Sequence, residues 1–192
     1  MFDTTYAKYV DDTTTLSIST KPDNLDLQQA ANKLVDWTIA NHMTVNEKKT
    51  KEMLIYFGTK HDTSSVPFIT INNKQIERVE SFKLLGVVIS ADLSWKEHID
   101  YMLKKVAKRF YCILYLVRAG IKSEDILIIY CSIIRSVLEY ACQVWHPGLT
   151  KKQSSDIERV QKRCLRLIYP NLDYRQSLQM SGLENLRQDA NQ

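Results

Sequence analysis

The sequence predicts an α+β protein, in which a hairpin, a helix and a small antiparallel sheet precede an all-α bundle. Short runs of alternating and β-branched residues flank Tyr9-Val10-Asp11-Asp12, and this pattern predicts a β-hairpin with two acids at its tip. Further strand-like runs continue to Ile89. Beyond Ser94 the apolar residues recur at helical spacing, which predicts helices almost to the end of the chain.

In the first half, the spacing of Leu27, Ala31 and Leu34 predicts a helix from Pro22-Asp23-Asn24 to about His42. Four strand-like runs follow, with a loose loop over Gly58 to Ser65 and a tight turn at Asn72-Asn73. The four runs are Met53 to Phe57, Val66 to Ile71, Gln75 to Val79 and Phe82 to Ile89.

The second half begins with Ser94-Trp95-Lys96-Glu97, which has the pattern of a capping box and predicts a long helix ending near Gly120. A helix capped by Ser123 and running to about Tyr140 is apolar nearly all round, so we expect it to be the buried centre of the bundle. A second capping-box pattern at residues 155–158 opens a helix that stops before Pro170. These patterns predict regions 1–92, 93–170 and a tail 171–192 with one marginal helix, anchored by Leu178, Leu183 and Leu186.

A chain of 192 residues with 44% hydrophobic content fits one or two small domains. It contains no apolar run long enough for a membrane span and opens with no secretory leader, so we expect an intracellular protein, cytoplasmic or nuclear, with no membrane partner. The four cysteines lie far apart, and the four histidines are scattered along the chain, with no two of them at metal-ligand spacing. We therefore expect core thiols and structural or surface imidazoles.

Positive charge is concentrated in the second half of the chain. Residues 1–96 carry 11 Lys and Arg against 12 Asp and Glu, whereas residues 101–172 carry 13 against 5. Such an excess attracts a polyanion, and nucleic acid is the natural candidate. A solvated helix surface and a phosphate-binding surface both fit the basic sets of the two helices, which are Lys104, Lys108 and Arg109 on the first and Arg159, Lys162, Arg163 and Arg166 on the second.

The adjacent carboxylates of Asp11 and Asp12 have the chemistry of a Mg²⁺ site. Mg²⁺ takes hard oxygen ligands, and two-metal phosphoryl transfer needs carboxylates that hold two ions about 3.5 to 4 Å apart. The alternative is a solvated turn, because Asp is common in turns. The motifs that follow the hairpin decide between the two.

In this order of motifs, the chain resembles the reverse transcriptases of non-long-terminal-repeat, LINE-type retrotransposons. Their palm carries a Phe/Tyr-x-Asp-Asp hairpin, which Tyr9 to Asp12 matches, and the resemblance covers most of the chain. The other matching segments are Asn46-Glu47-Lys48-Lys49-Thr50-Lys51, Phe82 to Ile89, Leu93-Ser94-Trp95, Leu138-Glu139-Tyr140-Ala141 and Val144-Trp145.

The resemblance implies a role for each matching residue. Asp11 would be the principal metal ligand and Asp12 its neighbour, while Tyr9 and Val10 would support the primer end. Lys49 would lie near the phosphates of the incoming nucleotide and assist the departure of pyrophosphate, although Lys48 and Lys51 beside it leave that assignment open.

The resemblance also implies a primer grip and a thumb. Leu85 and Gly86 would form the hairpin resembling the primer grip, where a glycine lets the backbone approach nucleic acid; a simple β-bulge is the alternative for Gly86. The basic helices would form the thumb, which holds the RNA template and DNA primer through their backbones.

A complete polymerase of this family has fingers, another palm strand with a metal-binding Asp and a nucleotide pocket, all upstream of the hairpin. Only eight residues precede Tyr9, and Asp3 is too close to the hairpin to replace the other carboxylate. We therefore expect a polymerase fragment that binds Mg²⁺ weakly or not at all and is inactive alone, with the N-terminal part of the polymerase as a partner. Two alternatives stay open: a nucleic-acid-binding thumb module without catalysis, and an inert relic whose exposed sheet edge makes it aggregate.

Residues from about Val79 to Gly120 also resemble the N-terminal region of AlkB-homologue tRNA-modifying dioxygenases. Such a dioxygenase binds iron through a His-x-Asp pair and a distant His. Of the four histidines, only His98 is followed by an Asp at that spacing, in His98-Ile99-Asp100, whereas His42, His61 and His146 are not. A single pair does not specify an iron site, so the sequence does not predict dioxygenase chemistry.

Overall fold

The computed structural model describes residues 4–19, 23–57 and 65–186, and the chain divides into two compact units. The first unit comprises residues 1–82 and 91–93, and the second comprises residues 83–90 and 94–192. Helices and short strands occur together, which confirms the predicted α+β class. Asp3, Pro22, His61 and most of the predicted loop from Gly58 lie outside the described residues.

The described residues contain eight strands in four separate two-stranded sheets. The strands are β1 (Thr5–Tyr9), β2 (Asp12–Leu16), β3 (Lys51–Glu52), β4 (Thr70–Ile71), β5 (Lys74–Gln75), β6 (Glu77–Arg78), β7 (Ser81–Leu84) and β8 (Val87–Ser90). β1 pairs with β2 and β4 with β5 in antiparallel fashion, whereas β3 and β6 are parallel. The predicted antiparallel pairing is confirmed, although the strands form separate two-stranded sheets and not one sheet. It is wrong for β3 and β6, which are parallel.

Several strand bounds differ from the sequence prediction. Met53 to Phe57, predicted as a strand, pairs with no strand of the described chain, and only Lys51–Glu52 before it is paired. The predicted strand from Phe82 to Ile89 is a hairpin, because Leu85 and Gly86 both adopt positive φ and reverse the chain. The predicted turn at Asn72-Asn73 is confirmed, with φ of 51° and 61°.

The first unit is held by one apolar cluster and one buried ion pair. Ile69, Ile71 and Ile76 are buried, and side chains of the first helix pack against them. In the same unit the Arg78 guanidinium lies 3.1 Å from the carboxylate of Glu52. This carboxylate also accepts a hydrogen bond from the side-chain amide of Asn24. The pairing satisfies a carboxylate that would otherwise be costly to bury.

Seven α-helices lie in the described part of the chain, six of them in the second unit. They are α1 (Leu25–Ala40), α2 (Lys96–Arg118), α3 (Ser123–Tyr130), α4 (Ser136–Glu139), α5 (Cys142–Trp145), α6 (Lys151–Ile168) and α7 (Tyr174–Ser181). A π-helical segment, Cys131–Arg135, joins α3 to α4.

The segment from α3 to α4 is the predicted central helix of the bundle. Ile126, Tyr130, Ile134 and Leu138 recur every four residues, and each is buried. The same core includes Leu186, with Leu178 and Leu183 packed against it, as predicted for the tail. Burial of this continuous apolar row stabilises the second unit.

Two of the predicted helix caps each differ from the structure by one residue. α2 begins at Lys96 with Trp95 as its N-cap, so the pattern at Ser94 and Glu97 does not form the predicted capping box. Likewise Lys122, not Ser123, caps α3; the hydroxyl of Ser123 donates a hydrogen bond to the carbonyl of Ile168.

α6 begins five residues earlier than the sequence predicts. Thr150 and Gln153 form its capping box, in which each side chain binds the other residue's backbone N–H. The predicted box at residues 155–158 therefore lies inside the helix, and Glu158 is buried where it accepts a hydrogen bond from Tyr174. The predicted end before Pro170 is confirmed.

The cysteines of the second unit differ in environment. Cys164 is fully buried, and burial raises the pKa of its thiol to about 12. Cys131 and Cys142 are half-buried, but Cys112 is exposed on α2, so the expectation of a core thiol is wrong there.

No helix in the described residues has the length and apolar character needed to cross a bilayer.

His98 lies in an aromatic cluster of the second unit. Its ring is 6.1 Å from that of Trp95 and 5.6 Å from that of Trp145, measured between centroids. Its Nδ1 accepts a hydrogen bond from the backbone N–H of Val88, and no partner for its buried Nε2 lies among the described residues. Burial lowers the pKa of this imidazole from its ordinary value of 6.5.

We expect acid to destabilise the second unit through His98. As the pH falls, the unfolded imidazole binds its proton before the folded one, so the contribution of His98 to the free energy of unfolding is constant above 6.5 and declines below it. The decline is at most about 1.4 kcal/mol per pH unit. Urea unfolding between about pH 7.5 and about pH 5.5 measures it, and His98→Gln should flatten this dependence.

The control for this measurement is His42→Asn, at an exposed imidazole with φ of 55°, which Asn tolerates. It should keep the pH dependence of the unsubstituted protein. If the free energy of unfolding of the His98→Gln protein depended on pH as steeply as that of the unsubstituted protein, other groups would cause the acid sensitivity.

Candidate nucleic-acid interface and hairpin carboxylates

The two acids of the predicted metal site lie at the tip of the β1–β2 hairpin. Tyr9 pairs with Asp12, which leaves Val10 and Asp11 as a two-residue turn, and all four are exposed. Val10 has φ of 54°, a conformation that costs a β-branched residue about 1 to 3 kcal/mol. The hairpin therefore presents both carboxylates to solvent on a strained turn.

These carboxylates do not by themselves fit a two-metal site. The described residues contain no group of three or more His, Cys, Asp or Glu side chains that could hold a metal ion. A pair in open solvent also lacks the low-dielectric surroundings in which charge stabilisation becomes large. Asp11 and Asp12 alone therefore do not form the site that two-metal catalysis requires.

Lys49 lies in a turn of the first unit and is exposed. Its backbone N–H donates to the carbonyl and side-chain oxygens of Asn46, both at 3.1 Å, and its ammonium forms no ion pair within the described residues. Lys51 beside it is paired at 2.5 Å with Glu77. Of the two, Lys49 keeps an ammonium open to an anion.

The turn at Leu85 and Gly86 is packed against Tyr140 of the same unit. The Tyr140 hydroxyl donates to the carbonyl of Leu85 at 2.8 Å, and a Cβ placed on Gly86 would lie 3.1 Å from the tyrosine ring. Gly86 is thus required by a tight turn and a close ring. The alternative of a β-bulge is wrong.

The basic residues predicted on the two helices fall into two groups. Lys104, Lys108 and Arg166 are exposed, and they form no ion pair within the described part of the chain. The other four have structural partners. Arg109 donates to the carbonyl of Ile133, Arg159 pairs with Asp156 at 2.8 Å, Lys162 lies 4.9 Å from the ring of Tyr174, and Arg163 lies 4.2 Å from that of Phe110.

Lys83 lies beside the predicted cations of α2, and its contact with Tyr101 was not predicted from the sequence. The Lys83 ammonium lies 2.7 Å from the hydroxyl of Tyr101, and this hydrogen bond, with the charges of Lys83, Lys105 and Arg109, lowers the pKa of that phenol. The spacing of Tyr101, Lys105 and Arg109 at every fourth position could have indicated the face on α2. Lys83 is added by a hairpin, which helical spacing does not reveal.

The chain matches no family model, no curated protein and no solved structure in comparisons with each. An exposed row of cations in the second unit can bind a polyanion, and an exposed acidic pair in the first unit can bind a cation weakly.

Proposed function

We propose that this chain is the palm-and-thumb part of a LINE-type retrotransposon reverse transcriptase, and that its second unit binds the RNA template and DNA primer. The order of the motifs, from the Asp11-Asp12 hairpin to the phrase around Tyr140, supports the ancestry. The observation that carries the binding function is the set of exposed, unpaired cations on the bundle, described above. A nucleic-acid-binding module without catalysis is the form of this proposal that the open hairpin site favours.

Binding of this kind acts on phosphates and not on base sequence. Lys104 and Lys108 are one helical turn apart on α2, so both can approach the same strand backbone. Cations that neutralise phosphates release condensed counterions, which makes the affinity fall steeply with salt. Sequence-independent affinity with a measurable salt slope is therefore the signature of the proposed function.

We expect the full chain to bind a labelled RNA–DNA hybrid, and charge reversal by Lys104→Glu or Arg166→Glu to weaken this binding several-fold. Each lost phosphate contact should reduce the slope of log affinity against log salt by about 1. Fluorescence anisotropy over a salt series measures both quantities. Arg163→Glu is a less direct test, because Arg163 also stacks on Phe110.

Lys33→Glu is the matched control, since it makes the same charge change at an exposed site of the first unit. It should leave the salt slope of the unsubstituted protein in place. Equal losses in Lys33→Glu and Lys104→Glu would show that only net charge matters, and no binding by the unsubstituted chain would refute the proposed function.

A further inference from the structure

Two tyrosines of α2 expose their rings to solvent to an unusual degree. Tyr111 is 72% exposed and Tyr115 is 74% exposed, although both belong to a helix whose opposite face is the core of the unit. Their spacing of four residues places the rings one above the other on the same side of α2. Together they present an aromatic surface that the described residues leave exposed.

These rings lie within a row of exposed cations. Lys104, Lys108, Tyr111, Tyr115 and Arg118 follow one another at intervals of four, three, four and three residues, and all are exposed. This row, the outer stripe of α2, is about 21 Å long, since an α-helix rises about 1.5 Å per residue. Residues 101–118 include no Asp or Glu, so all charged side chains of the stripe are cations.

We propose that the outer stripe of α2 binds single-stranded nucleic acid, with unpaired bases stacked on Tyr111 and Tyr115 and phosphates at the cations on either side. The cations select a polyanion. The rings select unpaired bases, because bases within a duplex have their faces covered by neighbouring pairs, whereas a single strand can stack on exposed aromatic side chains. The inference rests on the proposed function, because the second unit must bind nucleic acid. It adds that the nucleic acid bound at this stripe is single-stranded.

The test compares a labelled oligothymidylate with a duplex of equal length, using the full chain and fluorescence anisotropy. Replacing both tyrosines, Tyr111→Ser with Tyr115→Ser, should weaken single-strand binding by about 5- to 150-fold for each stacked base, while duplex binding stays nearly unchanged. Tyr111→Phe with Tyr115→Phe should keep the single-strand affinity, since the rings remain. Phe57→Ser removes an exposed aromatic ring from the first unit and should have no effect.

A second measurement does not depend on a variant. Photo-cross-linking with an oligonucleotide that carries 5-iodouracil should attach the base to Tyr111 or Tyr115, as located by mass spectrometry of the digest. Cross-links confined to other residues would overturn the inference. The inference would also be overturned if the double serine variant bound oligothymidylate normally although Lys104→Glu weakened binding. The same holds if the double serine variant lost duplex binding and single-strand binding equally. If the unsubstituted chain bound neither nucleic acid, both this inference and the proposed function would be refuted.

Discussion

Trp145→Ala is expected to lower the free energy of unfolding of the second unit by about 3 to 5 kcal/mol, as for other large aromatic side chains removed from a core. Trp145 is 1% exposed, and its ring packs against those of His98 and His146. Its indole N–H also donates to the carbonyl of Tyr140 at 2.9 Å. Urea unfolding of the full chain, followed by helical circular dichroism, measures the loss.

Val144→Ala is the control, because Val144 is the adjacent residue in α5 and is 59% exposed. It should change the free energy of unfolding by no more than about 0.5 kcal/mol. Trp145→Phe keeps an aromatic ring but removes the N–H, so an intermediate loss is expected. Equal stability of the Val144→Ala and Trp145→Ala proteins would contradict a core role for the indole.

The spacing of apolar residues predicts the helices of the second half well, because the residues at that spacing are the ones buried in the core. Met102, Val106 and Ile113 of α2 and the four-residue repeat of the central helix all face the same core. Each apolar stripe in the sequence therefore corresponds to a surface that must be covered. The tail follows the same rule, as Leu186 shows by its burial.

Helix starts and strand bounds are less predictable, since they depend on residues far away in sequence. Two capping patterns lie near the start of α6, and the structure uses the one at Thr150 and Gln153. Glu158 of the other pattern is inside the helix, where it accepts a hydrogen bond from Tyr174, which is distant in sequence. Similarly, Lys51–Glu52 is a strand through its pairing with Glu77–Arg78, and local propensity does not contain that partner.

The same limit applies to the candidate interface. The sequence locates the cations on α2 and α6, but only tertiary packing determines that Arg163 stacks on Phe110 whereas Arg166 remains exposed. Tyr111 and Tyr115 could have been found from the sequence, because a helical wheel places them with Lys104 and Lys108 on the side away from the core. The hairpin acids were located correctly by their motif, yet their environment depends on the strands around them.

Gln161 is the centre of a buried polar network in the second unit. It is fully buried, and its carbonyl oxygen accepts from the Tyr130 hydroxyl at 2.9 Å. Its amide donates to the Tyr174 hydroxyl at 3.1 Å and to the carbonyl of Glu184 at 2.9 Å. Burial is the main cause that raises the pKa of both Tyr130 and Tyr174, so both phenols stay neutral and need hydrogen-bond partners.

Gln161→Leu should therefore lower the free energy of unfolding by about 3 kcal/mol, because it leaves the buried hydroxyl of Tyr130 and the carbonyl of Glu184 without their partner. Adding Tyr130→Phe removes the orphaned hydroxyl, so the double variant should be more stable than the sum of the two single changes implies, by about 1 to 3 kcal/mol. Gln179→Leu, at an exposed position of α7, should have little effect. Additive losses in this double-mutant cycle would mean that water reaches Tyr130 when Gln161 is gone, and that the network does not act as a unit.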